Sequence, residues 1–200
     1  MQVRNWVSIA AAVTVAACSG RKEASTTDTT ALAASSTAAT TDSTAASAAP
    51  MTDSNILAKE SDGDSAEVVI GQYARAHAKD PQVRAYAKLL VDDHGKGLRE
   101  VRALAKKLSI TPQRPADDTV SQETAHTLQH LAMLKGRDFD TAFVAHEIED
   151  HKTDIADAQK AAAAAQNPDV KQLVEKSLPE LQKHLDRAEA LEKKLSPTKG

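Results

Sequence analysis

The fold is indicated first by the stretch VRAYAKLLVDDHGKGLREVRALAKKL, which runs from Val83 to Leu108. Its apolar residues recur at alternating steps of four and three, the spacing of one buried face of an α-helix. His94 falls within that series, so its imidazole is predicted to point into a core. The predicted face consists of Val83, Ala87, Leu90, His94, Gly97, Val101, Leu104 and Leu108.

Further segments rich in Ala, Leu, Lys and Glu repeat this pattern on both sides of the stretch. Turn residues separate them at Asp80-Pro81, Pro112 to Pro115, Gly136 and Asn167-Pro168. No segment has the alternation typical of a β-strand, so the domain is expected to be all-helical. The predicted helices span 53–79, 81–108, 119–135, 138–166 and 168–194.

Polar residues interrupt the apolar faces at matched depths. His151 lies on the inward face of the fourth helix and His184 on that of the fifth. Because each helix rises about 1.5 Å per residue from the shared turn, these two histidines are expected at one level. The same holds for Glu67 and His94 in the first pair of helices, which suggests an internal duplication. The inward series of the first helix is Ile56, Glu60, Gly63, Glu67, Ile70, Ala74 and His77.

The connection between the two helical hairpins is long. Residues 109–137, which include the short third helix, form a longer connection than two neighbouring antiparallel helices need. One long crossover between two hairpins is the ferritin-like arrangement of a four-helix bundle. The predicted fold class is therefore an all-α, ferritin-like four-helix bundle with a short extra helix in its crossover.

Several spaced motifs resemble a known family. They are Ala66-Glu67-Val68 with Gly71, Asp92-Asp93-His94, Gly136 followed by Phe139-Asp140, Asp150-His151, and Leu178-Pro179-Glu180-Leu181 with His184-Leu185. Together they are similar to the signature of the domain of unknown function 4142 family, over about residues 54–192. The resemblance implies a ferritin-like bundle in an exported or outer-membrane protein. It implies no activity, substrate or cofactor.

The amino-terminal segment is typical of export. Arg4 precedes an apolar run that is too short to span a bilayer, and Val15-Ala16-Ala17-Cys18 resembles a bacterial lipobox. We expect a signal peptide at 1–17, lipid attachment at Cys18, a disordered Ala/Ser/Thr-rich tether over 18–52 and the bundle domain at 53–197. Ser19, following Cys18, favours the outer membrane, facing the periplasm. The alternative is a soluble periplasmic protein in which Cys18 is incidental.

Two interpretations of the inward polar residues remain open. In the first, Glu67, His94, His151 and His184 converge on iron, zinc, copper or manganese, while Asp93 and Asp150 orient the imidazole rings. In the second, the same residues form a buried hydrogen-bond network in a non-catalytic envelope lipoprotein, with Glu67 paired to His94. The Glu-x-x-His pairs typical of di-iron bundles are absent from both helices that would carry them.

Other classes of function are less compatible with the composition. The net charge is -3 and no basic stripe is present, so nucleic acid is not expected as a partner. The membrane is expected as a partner through the lipid. A protein partner is not identified, although in the non-catalytic alternative the helical surface binds another envelope component. No residue is placed as a nucleophile, so an enzyme is the less favoured interpretation. His126 and His130 are expected to form an inert surface pair, and Asp62-Gly63-Asp64 to break the first helix.

Overall fold

The computed structural model describes residues 51–196 of the chain. Cys18, the predicted signal peptide and all of the predicted tether except its last two residues lie outside this range. The described part is helical, which confirms the predicted fold class, and each helix begins and ends within three residues of its predicted bounds. The helices are α1 (Asp53–His77), α2 (Pro81–Leu108), α3 (Val120–Ala132), α4 (Arg137–Ala164) and α5 (Pro168–Leu195).

Side-chain caps explain where the long helices begin. The hydroxyl of Thr52 accepts a hydrogen bond from the backbone N–H of Asn55, whose side chain in turn accepts from the backbone N–H of Thr52, forming a capping box. The side chains of Asp80 and Asn167 accept hydrogen bonds from backbone N–H groups in the first turns of α2 and α5, and each is followed by the proline that a first helical turn tolerates.

The prediction that Asp62-Gly63-Asp64 breaks the first helix was wrong, because α1 is continuous from Asp53 to His77. A glycine inside a helix costs only about 1 kcal/mol relative to alanine. Asp62 and Asp64 have tertiary partners that hold them in place. Asp62 pairs with Arg114 of the crossover, and Asp64 contacts His94 of α2.

The four long helices form two hairpins, with α1 packed against α2 and α4 against α5. The hairpins meet mainly where α2 packs on α5, and α3 packs chiefly on α1. No helix of residues 51–196 is both long enough and apolar enough to cross a membrane.

A reciprocal pair of carboxylates ties the hairpins together, and we call this pair the turn clasp. Asp140, near the start of α4, accepts hydrogen bonds from the backbone N–H groups of Lys79 and Asp80, both at 2.8 Å, in the turn between α1 and α2. Asp53, at the start of α1, accepts hydrogen bonds from the backbone N–H groups of two residues in the turn between α4 and α5, Gln166 at 2.9 Å and Asn167 at 3.0 Å.

Two apolar clusters occupy opposite ends of the bundle, and a polar layer separates them. One cluster contains Leu90 of α2 and Ile148 of α4, and the other contains Val101 and Ala158 of the same two helices. The polar layer is centred on His94 of α2 and His151 of α4, which lie between these positions. Its buried members are Glu67, His94, Glu147, His151 and His184.

Candidate metal centre

Three histidines from three different helices meet in the polar layer. His94 of α2, His151 of α4 and His184 of α5 have 7%, 0% and 1% of their surface exposed. Their ring centroids are separated by 5.1 to 5.7 Å. One nitrogen from each ring lies within 4.8 Å of the other two, which is close enough for all three to bind one metal ion. We call these residues the histidine triad.

Carboxylates orient two rings of the histidine triad. The Nδ1 atom of His94 lies 2.9 Å from Oδ1 of Asp64, and the Nε2 atom of His184 lies 3.0 Å from Oδ2 of Asp93. Partial burial opposes ionisation of Asp93, but the hydrogen bond with His184 and the charge of Lys183 keep its pKa below the ordinary value. An ionised carboxylate only accepts hydrogen bonds, so Nε2 of His184 carries the hydrogen and donates it to Asp93. Burial raises the pKa of Asp64, and the hydrogen bond with His94 opposes that shift.

The third ring, His151, donates from Nδ1 to the backbone carbonyl of Glu147 at 3.0 Å. Its Nε2 atom then faces Nδ1 of His184 at 3.3 Å. In each of these two rings the opposite nitrogen donates its hydrogen to an oxygen atom, which assigns the tautomer. A neutral ring then has a lone pair, and no hydrogen, on the nitrogen that faces the other ring. Two lone pairs cannot form a hydrogen bond with each other, so this contact is unsatisfied.

The histidines of this contact are neutral at neutral pH. Burial, reinforced by the neighbouring histidines, lowers the pKa of His151 to about 3. Burial also lowers the pKa of His184 to about 4, even though the hydrogen bond to Asp93 opposes that shift. The Nε2 atom of His94 is likewise buried without a hydrogen-bond partner among the described residues. Two nitrogen lone pairs therefore face each other in the layer without a proton between them, beside the buried Nε2 atom of His94.

Two buried carboxyl groups adjoin the histidine triad. Glu67 and Glu147 are 1% and 0% exposed, and one oxygen of each can approach His151 closely enough to form a second potential ligand group. Burial raises the pKa of both carboxyls well above the ordinary value, and the charge of Asp150 adds to the effect. Within residues 51–196, none of their four oxygens has a hydrogen-bond partner.

The expected pairing of Glu67 with His94 was wrong, because Asp64 is the residue that binds His94. Gly97 explains the difference. A Cβ atom at Gly97 would lie only 2.6 Å from Oδ2 of Asp64, so the missing side chain leaves the space that this carboxylate occupies. Glu67 instead lies beside Glu147 of the other hairpin.

The remaining candidate residues are distributed elsewhere. Asp150 forms no hydrogen bond with the histidine triad; it lines a neighbouring cavity together with the half-buried His146. His77, predicted to face inward, is exposed and stacks on Tyr73 with ring centroids 4.0 Å apart. His126 and His130 are exposed on α3.

Sequence reasoning did not assign a role to Asp64 or include Glu147 in the site. Glu147 carried one signal, its position one turn before His151, which places both on one side of α4. For Asp64, the signal was Gly97 on α2, whose missing side chain leaves space for the carboxylate. That signal can be interpreted only when the register of α1 against α2 is known.

A cavity of about 390 Å³ reaches the histidine triad from one side. His94 and His184 line it, whereas His151 is closed off behind them. Its wall also includes Asp64 and Asp93, the carboxylates that orient the two lining histidines. A small ion in the cavity can therefore reach the triad without passing through the apolar clusters.

Comparisons with known proteins agree with this architecture. A DUF305 protein from Streptomyces coelicolor has a similar structure, with a TM-score of 0.64 and 12% sequence identity over 74% of this chain and 96% of that one. A DUF305 fragment from Deinococcus radiodurans gives a TM-score of 0.63 at 12% identity, over 71% of this chain and 95% of that one. At this identity the likeness concerns the fold alone.

Curated proteins provide no match to the sequence. The family model for the domain of unknown function DUF4142 matches residues 21–191, which include all three triad histidines and the carboxylates around them. The chain therefore belongs to the DUF4142 family.

Proposed function

We propose that this protein binds a transition-metal ion through Nε2 of His94, Nε2 of His151 and Nδ1 of His184. The observation that carries the proposal is the contact between two lone pairs, on Nε2 of His151 and Nδ1 of His184, whose opposite ring nitrogens already donate to oxygen atoms. The buried Nε2 atom of His94 has no hydrogen-bond partner among the described residues, so it is available as the third ligand. A histidine that binds a metal usually donates its other N–H to a carboxylate or a carbonyl, which fixes the tautomer.

The distances are compatible with a metal centre. Two nitrogens bound about 2.0 to 2.1 Å from a tetrahedral metal are about 3.3 Å apart. The facing nitrogens of His151 and His184 have this separation, 3.3 Å. One ring nitrogen of His94 can likewise be brought within 4.8 Å of a nitrogen of each of the other two histidines, so a small movement of its ring would complete the set.

The ligand set favours zinc or copper(II) among the candidate metals. Imidazole is a good ligand for zinc, copper, iron and nickel, whereas manganese prefers oxygen ligands. With three protein ligands, a tetrahedral metal keeps one position free. That position would face the cavity lined by His94 and His184.

A purely structural network explains less of the geometry. It accounts for the Asp64–His94 and Asp93–His184 hydrogen bonds, both of which satisfy buried polar atoms. It leaves the two facing nitrogens of His151 and His184 unsatisfied, because no proton is available for that contact at neutral pH. A bound cation removes this difficulty.

We infer that the metal-binding domain works in the bacterial cell envelope, tethered through lipid on Cys18. The support is the lipobox-like sequence Val15-Ala16-Ala17-Cys18 and the family's implied export. The Streptomyces coelicolor neighbour is described as a presumed secreted protein. Incorporation of labelled palmitate into the native chain but not into Cys18→Ser would support the anchor. Equal labelling of both chains would exclude it.

The metal proposal is tested by elemental analysis of the full chain, extracted in detergent and purified without a histidine tag. We expect about one zinc or copper ion per chain, and loss of most of it in the double variant His94→Gln/His184→Gln. The matched control is His126→Gln/His130→Gln, which removes two exposed histidines and should retain the metal. Circular dichroism verifies that both variants are folded. Metal lost in the control but kept in the triad variant, or absent from the wild type even after addition of zinc and copper, would refute the proposal.

A further inference from the structure

The cavity beside the histidine triad is strongly acidic. Its lysines are Lys59 and Lys176, and each is already paired, with Asp157 at 3.1 Å and with Glu100 at 2.7 Å. Most of the remaining charged groups in its wall are carboxylates. The cavity wall therefore carries more carboxyl groups than its lysines can pair with, and these groups can accept an incoming cation.

Two rows of carboxylates face the cavity from α1 and α4, and we call them the carboxylate ladder. Each row has its members at positions i, i+4 and i+7 of its helix, so they lie along one face. The Lys59–Asp157 ion pair joins the two rows at one end. At the other end, Asp150 is close enough to Glu67 to raise its pKa. The ladder consists of Glu60, Asp64 and Glu67 on α1, and Asp150, Asp154 and Asp157 on α4.

Several members of the carboxylate ladder have no counterion. None of the ion pairs formed by residues 51–196 includes Glu60, Asp150 or Asp154. Glu67 lines the same cavity while only 1% exposed, and neither of its oxygens has a hydrogen-bond partner in the described part of the chain. A buried carboxyl group without a partner is uncommon, and an incoming ammonium group would supply the hydrogen-bond donor that Glu67 lacks.

The arrangement of these charges distinguishes a metal ion from an organic cation. In residues 51–196, the groups compact enough to chelate one ion are the histidine triad and Glu67, Glu147 and His151. The other ladder carboxylates belong to neither group. Each row extends over about 10 Å, with charges about one helical turn apart. Apolar side chains, among them Ile70, Val101 and Leu181, also line the cavity.

We propose that this cavity binds an aliphatic polyamine. The ammonium groups of putrescine or spermidine are separated by methylene segments about as long as one helical turn, which matches the spacing along each row. The methylenes would lie against the apolar side chains while the ammonium groups pair with Glu60, Asp154 and Glu67. Asp64 of the ladder orients His94, but the ammonium groups are placed on Glu60, Asp154 and Glu67, so this binding does not require the proposed metal.

Calorimetric titration of the folded full chain with spermidine and with putrescine tests the proposal. We expect micromolar binding of spermidine at low salt and at least a tenfold loss of affinity in Glu60→Gln/Asp154→Asn. The matched control, Asp138→Asn/Glu149→Gln, removes the same charge from exposed positions of α4 and should bind like the wild type. Thermal melts confirm that each variant is folded.

Two further titrations make the result specific. Magnesium is expected to compete only weakly with spermidine, and butylamine, which carries one ammonium group, should bind at least tenfold more weakly. Spermidine titration in the presence of a metal chelator should give the same affinity, so this proposal can fail or succeed separately from metal binding. No spermidine binding, equal loss in the ladder and control variants, or tighter binding of magnesium would overturn the proposal.

Discussion

The Nε2 atom of His151 and the Nδ1 atom of His184 face each other at 3.3 Å in the centre of the bundle, and neither has a hydrogen to share. The opposite nitrogen of each ring donates to an oxygen atom, of Glu147 in one case and of Asp93 in the other. The two rings belong to adjacent helices of one hairpin. They come into contact because His151 and His184 are separated from their shared turn by nearly the same number of residues.

Replacing a carboxylate that orients the histidine triad should weaken metal binding without unfolding the bundle. In Asp93→Asn, the side chain keeps its shape but loses the charge that holds the hydrogen on Nε2 of His184. We expect a loss of metal affinity of about 10- to 100-fold. Competition with a chelator of known affinity measures it. Asp92→Asn, at an exposed neighbouring position paired with Lys88, is the control and should change nothing. Equal affinity in Asp93→Asn and the wild type would contradict the assigned tautomer.

Enlarging Gly97 should disturb the same site from the opposite side. The new Cβ atom in Gly97→Ala would lie 2.6 Å from Oδ2 of Asp64, so this carboxylate must move away from His94. We expect a loss of about 1 to 3 kcal/mol in the free energy of unfolding and weaker metal binding. The control is Gly95→Ala, whose Cβ meets no atom closer than 3.7 Å and which should gain up to about 1 kcal/mol from helix propensity. Denaturant melts with and without metal give both quantities. Equal stability of the two variants would argue against this contact.

The stability of the metal-free protein should depend on the neutral state of His184. Its pKa is about 4 in the folded protein and about 6.5 when unfolded, so the unfolded chain takes up the proton first as the pH falls. The stabilising contribution is present above pH 6.5 and is lost progressively toward pH 4. Relative to His184→Gln, the wild type should lose about 2 kcal/mol between pH 6.5 and 5. Urea melts in chelator measure the difference, and a constant difference over this range would contradict the burial of a neutral ring.

Glu147 should show the opposite dependence on pH. Burial raises the pKa of its carboxyl, so the folded metal-free protein holds the proton more tightly than the unfolded chain does. This stabilising contribution is complete below the unfolded pKa of about 4.5 and is lost as the pH rises through the folded pKa. Glu147→Gln should therefore be more stable than the wild type in chelator, and the advantage should be larger at pH 8 than at pH 5. Thermal melts of this variant beside Glu149→Gln, at an exposed position, provide the comparison. A wild type that is the more stable protein at pH 8 would contradict the prediction.

Much of this fold could be predicted because the relevant signals are local. Proline and capping residues mark the ends of helices, and Pro81 and Pro168 are the first helical residues of α2 and α5. Helical periodicity placed His151 and His184 on inward faces, and equal distance from a shared turn placed them at one level. These inferences need only the geometry of one helix or of one tight hairpin.

The pairing of His94 could not be predicted in the same way. Distance from the turn favoured Glu67, but the space left by Gly97 allows Asp64 to reach the ring. Which residue fills such a space depends on how two helices cross, and a sequence pattern does not contain the crossing angle. The proximity of Glu67 to Glu147 depends further on how the hairpins dock, which involves residues far apart in the chain.

The turn clasp has a consequence for how the bundle assembles. The backbone N–H groups of Lys79 and Asp80 find their acceptor on α4, and those of Gln166 and Asn167 find theirs on α1. Each hairpin can form quickly from local contacts, but its turn has no carboxylate acceptor until the other hairpin arrives. Neither hairpin can therefore form the hydrogen bonds of its own turn without the other. The two hairpins are expected to fold and unfold as one cooperative unit.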